Sequence, residues 1–480
     1  MSSYDRLFIG GGWVPPSSTS TIEVHNASTG EHIGSVPEAA EADVDAAVAA
    51  ARRAFDDPAG WSSWSNTERA AALERLATEL EARAPEIGRL VSMQNGMPIA
   101  LSPIIEGLTA VGTLRYMASL LATSPVEEET ARFLGGDLVI RHEPIGVIAG
   151  IVPWNYPQTL SSFKYAPALA AGNTIVLKPS PETVLDSYVF AEAVIAADLP
   201  PGVINVVPGG RELGAYLVQH RDVDKVAFTG STAAGRQIAE VCGRLLRPVS
   251  LELGGKSAAI ILDDADLDLA KIGQNLFAAT LVNNGQTCYA GTRILAPRSR
   301  YAEVVDVFAA FASSLPVGDA LDPATLIGPL VAERQRDRVE RYIAKGISDG
   351  ARLVAGGSRP AGLDRGWFVQ PTVFADVDNK SVIAREEIFG PVLSIVEYTD
   401  EDDAIRIANE SDYGLGGSVW TADLARARSV VRRVRTGTMG INGYLPDPAG
   451  PWGGVKSSGL GRELGPGAIA AYQNLKTVYA

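Results

Sequence analysis

Apolar and polar positions alternate along this chain with two periods, and the changes of period mark its elements. Val44, Ala47, Val48, Ala51 and Phe55 recur at helical spacing. Leu73, Leu76, Ala77 and Leu80 do the same, with Thr67 placed to cap that second helix and Asn95-Gly96 to end it. Ahead of both, residues 1–40 read as short strands and turns around Gly10-Gly11-Gly12. From 138 to 255 short apolar runs alternate with helical ones. Strands are expected at 139–140, 145–152, 173–177, 203–207, 225–228 and 249–253, and helices at 184–197, 212–219 and 232–242. Strands joined by helices require crossovers, so the sheet is expected to be parallel, with ligands at the carboxyl ends of its strands. Residues 256–440 repeat the alternation and predict a second α/β domain. Residues 464–480 predict a helix and a terminal strand, which with a polar hairpin at 124–142 would make a small separate sheet.

Length and composition suit that division. A chain of 480 residues exceeds one compact core, and 46% hydrophobic residues can fill several. The formal charge of −14 argues against a nucleic-acid partner, which demands basic surface. No apolar run is expected to span a bilayer and no signal-peptide core precedes Asp5 and Arg6, so a cytoplasmic protein is expected. Two cysteines make no disulfide framework, and with four histidines they lack metal-ligand spacing.

Candidate chemistry gathers at the strand ends. Phe228-Thr229-Gly230-Ser231-Thr232-Ala233-Ala234-Gly235 joins a strand to a helix, where Gly230 permits close backbone approach and Ser231 with the first helical amides can hold a phosphate. A strand–turn–helix with a Ser cap reads the same way. Lys178 closes an apolar strand and faces the ligand crevice, unless it is a solvated surface lysine. Cys288 follows Asn283-Asn284-Gly285, a sharp turn in which the thiol need not be packed. Amide and helix-terminus environments lower a thiol pKa, although a lone cysteine is more often an inert small hydrophobe. Cys242, among Ile238, Ala239 and Leu245, reads as core. Glu252 sits between Leu251 and Leu253 before a Gly pair, where burial would raise its pKa and suit it to base catalysis; a structural ion pair is the alternative. Asn155, at the end of the 145–152 strand, can aim an amide at a developing oxyanion or simply form a turn.

Seven segments in order resemble the aldehyde dehydrogenase superfamily, over about residues 8–479. They are Pro153-Trp154-Asn155-Tyr156-Pro157, Lys178-Pro179-Ser180, Phe228-Thr229-Gly230-Ser231-Thr232, Leu251-Glu252-Leu253-Gly254-Gly255-Lys256-Ser257, Gly285-Gln286-Thr287-Cys288, Glu386-Glu387-Ile388-Phe389-Gly390-Pro391 and Pro451-Trp452-Gly453-Gly454-Val455-Lys456-Ser457-Ser458-Gly459. The resemblance implies an α/β fold with a Rossmann-like cofactor domain (1–123 and 143–254), an α/β catalytic domain (255–445) and a small oligomerisation sheet (124–142 and 462–480) in a homodimer or homotetramer. It implies that Cys288 is the nucleophile, Asn155 with the Cys288 amide the oxyanion hole, and Glu252 the base that activates water to release the acid. CoA-acylating relatives usually lack that carboxylate. It places Trp154, Lys178, Ser180, Gly209, Gly230, Ser231, Leu253, Glu387 and Phe389 around the coenzyme, and no metal. NAD-preferring members often carry Glu three residues after the lysine; here Pro181 stands there, followed by Glu182. NAD is the first expectation and NADP the alternative. The stretch from Glu252 to Cys288 is slightly longer than in many relatives. Tyr156, Leu160, Phe163, Thr287, Tyr289, Tyr444, Leu445 and Trp452 would line the substrate pocket, and with no Arg or Lys among them a neutral aldehyde is expected rather than a semialdehyde acid.

Overall fold

A computed structural model describes residues 4–133 and 135–479. The first sheet has eight strands, and its centre is parallel: Val249–Glu252, Lys225–Thr229, Val147–Ile151, Thr174–Lys178 and Ile204–Val206, in that order. Those central strands are buried almost throughout, as their unbroken apolar runs require when helices cover both faces. Antiparallel strands cap both edges, Leu7–Ile9 with Gly12–Val14 on one side and Gly459–Leu460 on the other. The last of these brings the chain back from the second sheet to lie beside Glu252, with Glu252 opposite Gly459.

The second sheet has seven strands and is parallel except for its edge strand Arg352–Ala355. A third, antiparallel sheet joins Glu127–Ala131, Asp137–Pro144 and the terminal strand Gln473–Tyr479. Between 464 and 472, however, the expected helix is absent but for one 3-10 turn, Ala470–Tyr472. Leu464, Ala468, Ile469 and Tyr472 are buried at helical spacing, but Gly465-Pro466-Gly467 interrupts the backbone that a helix would need. Ala480 lies outside the described residues.

The two early helices are Glu41–Asp56 and Asn66–Asn95. Ser65, not Thr67, caps the second: its Oγ accepts from the Glu68 amide while the Glu68 carboxylate accepts from the Ser65 amide. One further stretch, Pro103–Leu121, is long and apolar enough by length and composition alone, as the core helix of a folded domain can also be, and does not overturn the expectation of no spanning segment. It is 19 residues long, the mean hydropathy of its most apolar window is 1.2, and half of that window is buried in the protein.

Candidate active site

The carboxyl ends of the central strands open onto a crevice with two joined compartments. The wider, of about 460 Å³, is lined by Lys178, Ser180, Glu182, Gly210, Phe228 and Ser231 among others. The narrower, of about 140 Å³, is lined by Trp154, Asn155, Gly230, Ser231, Leu253, Cys288, Glu387 and Phe389. Residues 153, 154 and 229–231 belong to both, so the compartments form one path from Lys178 to Cys288.

The wide compartment is made for a phosphate-bearing ligand. Ser231 caps the helix Thr232–Arg244, its Oγ accepting from the Ala234 amide, so the positive end of that helix faces the crevice. A Cβ on Gly230 would lie 2.5 Å from the Phe228 ring, so no side chain blocks the backbone there. Lys178 donates to the carbonyls of Pro179 (2.9 Å) and Gly209 (2.6 Å), and burial lowers its pKa to about 8. Gly209 therefore stands behind Lys178 while Gly210 lines the crevice. Ser180 donates to Glu182, whose other oxygen pairs with Arg334 across the mouth. Any contribution of Glu182 to coenzyme choice thus involves Arg334 as well, a residue that sequence reading did not single out.

At the far end, Glu387 accepts from the Gly255 amide at 2.9 Å. Burial pushes its pKa up to about 7, against that amide, Arg338 and Lys256. Phe389 holds a left-handed φ of 64° and meets the Trp154 ring edge-to-face at 5.2 Å. Such a backbone needs outside support, and Gln335 Nε2 supplies some by donating to the Phe389 carbonyl at 2.7 Å.

Cys288 follows a turn in which Asn283, Asn284 and Gly285 are all left-handed, a conformation that Asn and Gly tolerate best. The preceding helix, Leu269–Thr280, ends well short of the thiol. Asn283 Nδ2 donates to the Asn155 carbonyl (2.8 Å), and Asn284 Nδ2 to the carbonyls of Gly96 and Pro329 (2.8 Å each). Asn155 Nδ2 donates to the Gln286 carbonyl at 3.0 Å with one of its two hydrogens. A carboxamide N–H and a thiol thus line the same small cavity, the arrangement that can hold an oxyanion formed by attack on a carbonyl. Contrary to the expected lowering, the Cys288 thiol pKa is pushed up, first by burial and then by Glu387 and Glu252. Cys242 is fully buried, as expected of a core residue.

Glu252 lies just outside that cavity, at the end of its strand. Neither of its carboxylate oxygens makes a hydrogen bond of normal geometry. Burial and the neighbouring Glu463 raise its pKa, with Lys164 and Arg462 opposing. Glu463 and Lys164 form an ion pair of 2.9 Å with side chains at most 1% exposed, and Lys164 also donates to Thr229 Oγ1. Sequence reading missed this pair. Its one signal was a lysine inside the otherwise uncharged helix Pro157–Ala170.

On the other side of the thiol, Tyr156 and Thr287 share a 2.6 Å hydroxyl contact, and Tyr289 meets Tyr444 and Trp452 edge-to-face at 5.0 and 5.7 Å. Leu160 and Phe163 are buried nearby in the same core. Tyr444 and Trp452 continue into a pocket of about 300 Å³ with Leu445 and Asp447, its one charged lining residue. Among the described residues no group of three or more His, Cys, Asp or Glu side chains is placed to hold a metal.

Comparison with known proteins fixes the family. The model of the aldehyde dehydrogenase family matches residues 13–478. The chain belongs to the aldehyde dehydrogenase family. It is accordingly an NAD(P)-dependent oxidoreductase that converts aldehydes to carboxylic acids. It is 56% identical to a geranial dehydrogenase of Castellaniella defragrans over 99% of this chain and 98% of that one. It is 42% identical to a 3-succinoylsemialdehyde-pyridine dehydrogenase of a Pseudomonas species over 100% and 99%. Among solved structures it resembles a Mycobacterium tuberculosis aldehyde dehydrogenase complexed with NAD+ (TM-score 0.96, 49% identity, 99% and 98% covered). A Pseudomonas syringae aldehyde dehydrogenase C variant complexed with NAD+ and octanal is also similar (TM-score 0.94, 41% identity, 99% and 96% covered).

Proposed function

We propose that this aldehyde dehydrogenase oxidises a neutral, largely apolar aldehyde through an acyl group carried on Cys288. The observation that carries this reading is that Cys288, the Asn155 carboxamide, Glu387 and Phe389 line one cavity continuous with the Lys178 groove, with Glu252 beside it. The Cys288 sulfur attacks the carbonyl carbon, and the second Asn155 N–H with the Cys288 amide receives the oxyanion. Because burial holds the thiol protonated, Glu252 takes that proton, and its raised pKa suits it to do so near neutrality. When bound between Lys178 and Glu387, the coenzyme would supply the hydride acceptor and a positive charge. Loss of hydride leaves a thioester on Cys288. Once Glu252 has passed that first proton to solvent, it removes a proton from water, which adds to the thioester carbonyl; the C–S bond breaks, the acid departs, and the sulfur takes back a proton.

The residues fit NAD(P). Lys178 and Ser180 reach the adenosine end, Gly230, Ser231 and the helix terminus the pyrophosphate, and Glu387 the nicotinamide ribose, with Trp154, Leu253 and Phe389 shaping the channel. NAD is the preferred coenzyme in this reading, and relatives crystallised with NAD+ support it. Substrate polarity follows from the pocket: Tyr444 and Trp452 line it, Tyr289 packs against both rings, and its one charge, Asp447, repels a carboxylate. The geranial dehydrogenase relative supports the same class. The cofactor domain comprises 1–123 and 143–254 and the catalytic domain 255–445. Segments 124–142 and 462–480 make an oligomerisation sheet, on which Leu475 and Tyr479 are 67% and 70% exposed. That exposed apolar edge supports a homodimer or homotetramer, and two unpaired cysteines accord with a cytoplasmic setting.

Turnover of geranial, hexanal, benzaldehyde and succinic semialdehyde with each coenzyme tests the proposal. Preference for the first two with NAD is expected, and strong preference for the semialdehyde acid would refute the substrate class. Added CoA should leave the product a free acid; an acyl-CoA product would refute the role of water.

A further inference from the structure

The loops that carry Asn155 and Cys288 are both tied to the last residue of a scaffold helix. Asn95 ends Asn66–Asn95 and is fully buried. Its Nδ2 donates to two successive main-chain carbonyls, Trp154 (2.9 Å) and Asn155 (3.3 Å). Its Oδ1 has no partner, so the carboxamide is oriented by those carbonyls alone. A reversed amide would set oxygen against two oxygens, which fixes the nitrogen's direction. From the opposite side Asn283 donates to the same Asn155 carbonyl at 2.8 Å. The next residue ties the helix end to the nucleophile loop: Gly96 is left-handed at φ 88°, and its carbonyl accepts from Asn284 at 2.8 Å. Asn95 makes no hydrogen bond to Cys288 or to the carboxamide of Asn155.

We propose that Asn95 is a positioning residue of the reaction. By pinning the 154–155 peptides it sets where the Asn155 carboxamide points relative to the Cys288 sulfur. This rests on the oxyanion-hole role given to Asn155 above. Trp154 also contacts Phe389, so the same pin steadies one wall of the coenzyme channel.

A double-mutant cycle separates this from plain scaffolding. The quantity read is the pre-steady-state rate of coenzyme reduction at saturating NAD and hexanal, for the wild-type protein, Asn95→Ala, Asn155→Ala and the double variant. Asn95→Ala should slow that burst by about 10- to 100-fold, the scale of an ångström-level misplacement of a catalytic group. In the Asn155→Ala background the same change should cost less than about threefold, because nothing is left to aim. Asn95→Asp keeps the volume but loses the donor, so it should be at least as slow as Asn95→Ala; a packing role predicts the reverse. Should Asn95→Ala not fold, Asn95→Ser carries the cycle. Equal slowing in both backgrounds, or none in either, overturns the proposal. If Asn155→Ala itself reduces coenzyme at the full rate, the oxyanion reading fails on its own, whatever the Asn95 variants do.

Discussion

Replacing Glu252 with Gln removes one proton acceptor while keeping the shape of the side chain. Both Glu252 oxygens are buried without a hydrogen bond of normal geometry, and the Gln oxygen can still accept the weak contact from the Gly454 amide. Burial and Glu463 hold the wild-type carboxyl well above the usual range, which brings it towards the pH at which a base is most effective. A positioned general base contributes about 10²–10⁴-fold, or about 2.7–5.4 kcal/mol at 1.36 kcal/mol per decade. Release of the acid from Cys288 should slow by that factor. Acylation should slow less, because the coenzyme's positive charge favours the thiolate. Stopped-flow detection of reduced coenzyme should therefore show a burst approaching one equivalent per site, then a slow steady state. Removing a nearby negative charge also lowers the Cys288 pKa, since Glu252 is among the groups that raise it. Iodoacetamide should accordingly label Glu252→Gln faster than the wild-type protein at pH values where Glu252 is ionised. A full steady-state rate without a burst would refute the reasoning, because another group would then be activating water.

Glu387 is pushed up to about 7, and in the ribose-binding role proposed for it the ionised form would be the acceptor. NAD affinity measured by calorimetry should therefore weaken as pH falls through about 7, and Glu387→Gln should flatten that profile. Lys164→Met removes the hydrogen-bonded partner of the buried Glu463 and leaves only the more weakly acting Lys225, which should cost up to about 3–5 kcal/mol in denaturant unfolding. Adding Glu463→Leu should recover most of that loss; a single-variant cost near zero would show that the pair is not buried in solution. Asp447→Lys places a cation in the pocket shared by Tyr444 and Trp452, so KM for succinic semialdehyde should fall by about tenfold while hexanal turnover changes little.

The parts of the site legible in the sequence were those held within one contiguous segment. Asn155 and Ser231 follow strands of the first sheet and Lys178 ends one, while Cys288 and Glu387 lie in short loops ahead of strands of the second, each within a contiguous motif. Lys164 and Glu463 are separated by 299 positions and touch only because the chain returns along the edge of the first sheet beside Glu252. No local pattern announces such a contact. Asn95 looked like punctuation, since Asn-Gly ends many helices, and only the burial of its side chain gives it another role. The Ser65 cap was readable from the Glu three residues later, a stronger signal than Thr67. The segment 464–472 shows how burial at helical spacing misleads when Gly and Pro deny the backbone a helix.

The account depends most on the acyl group residing on Cys288. Peptide mass spectrometry of Glu252→Gln, quenched in acid after mixing with NAD and hexanal, examines that directly. A hexanoyl adduct on the peptide containing Cys288, absent without NAD, is the predicted result. An unmodified Cys288 alongside full coenzyme reduction, or an adduct on Cys242 instead, would contradict it.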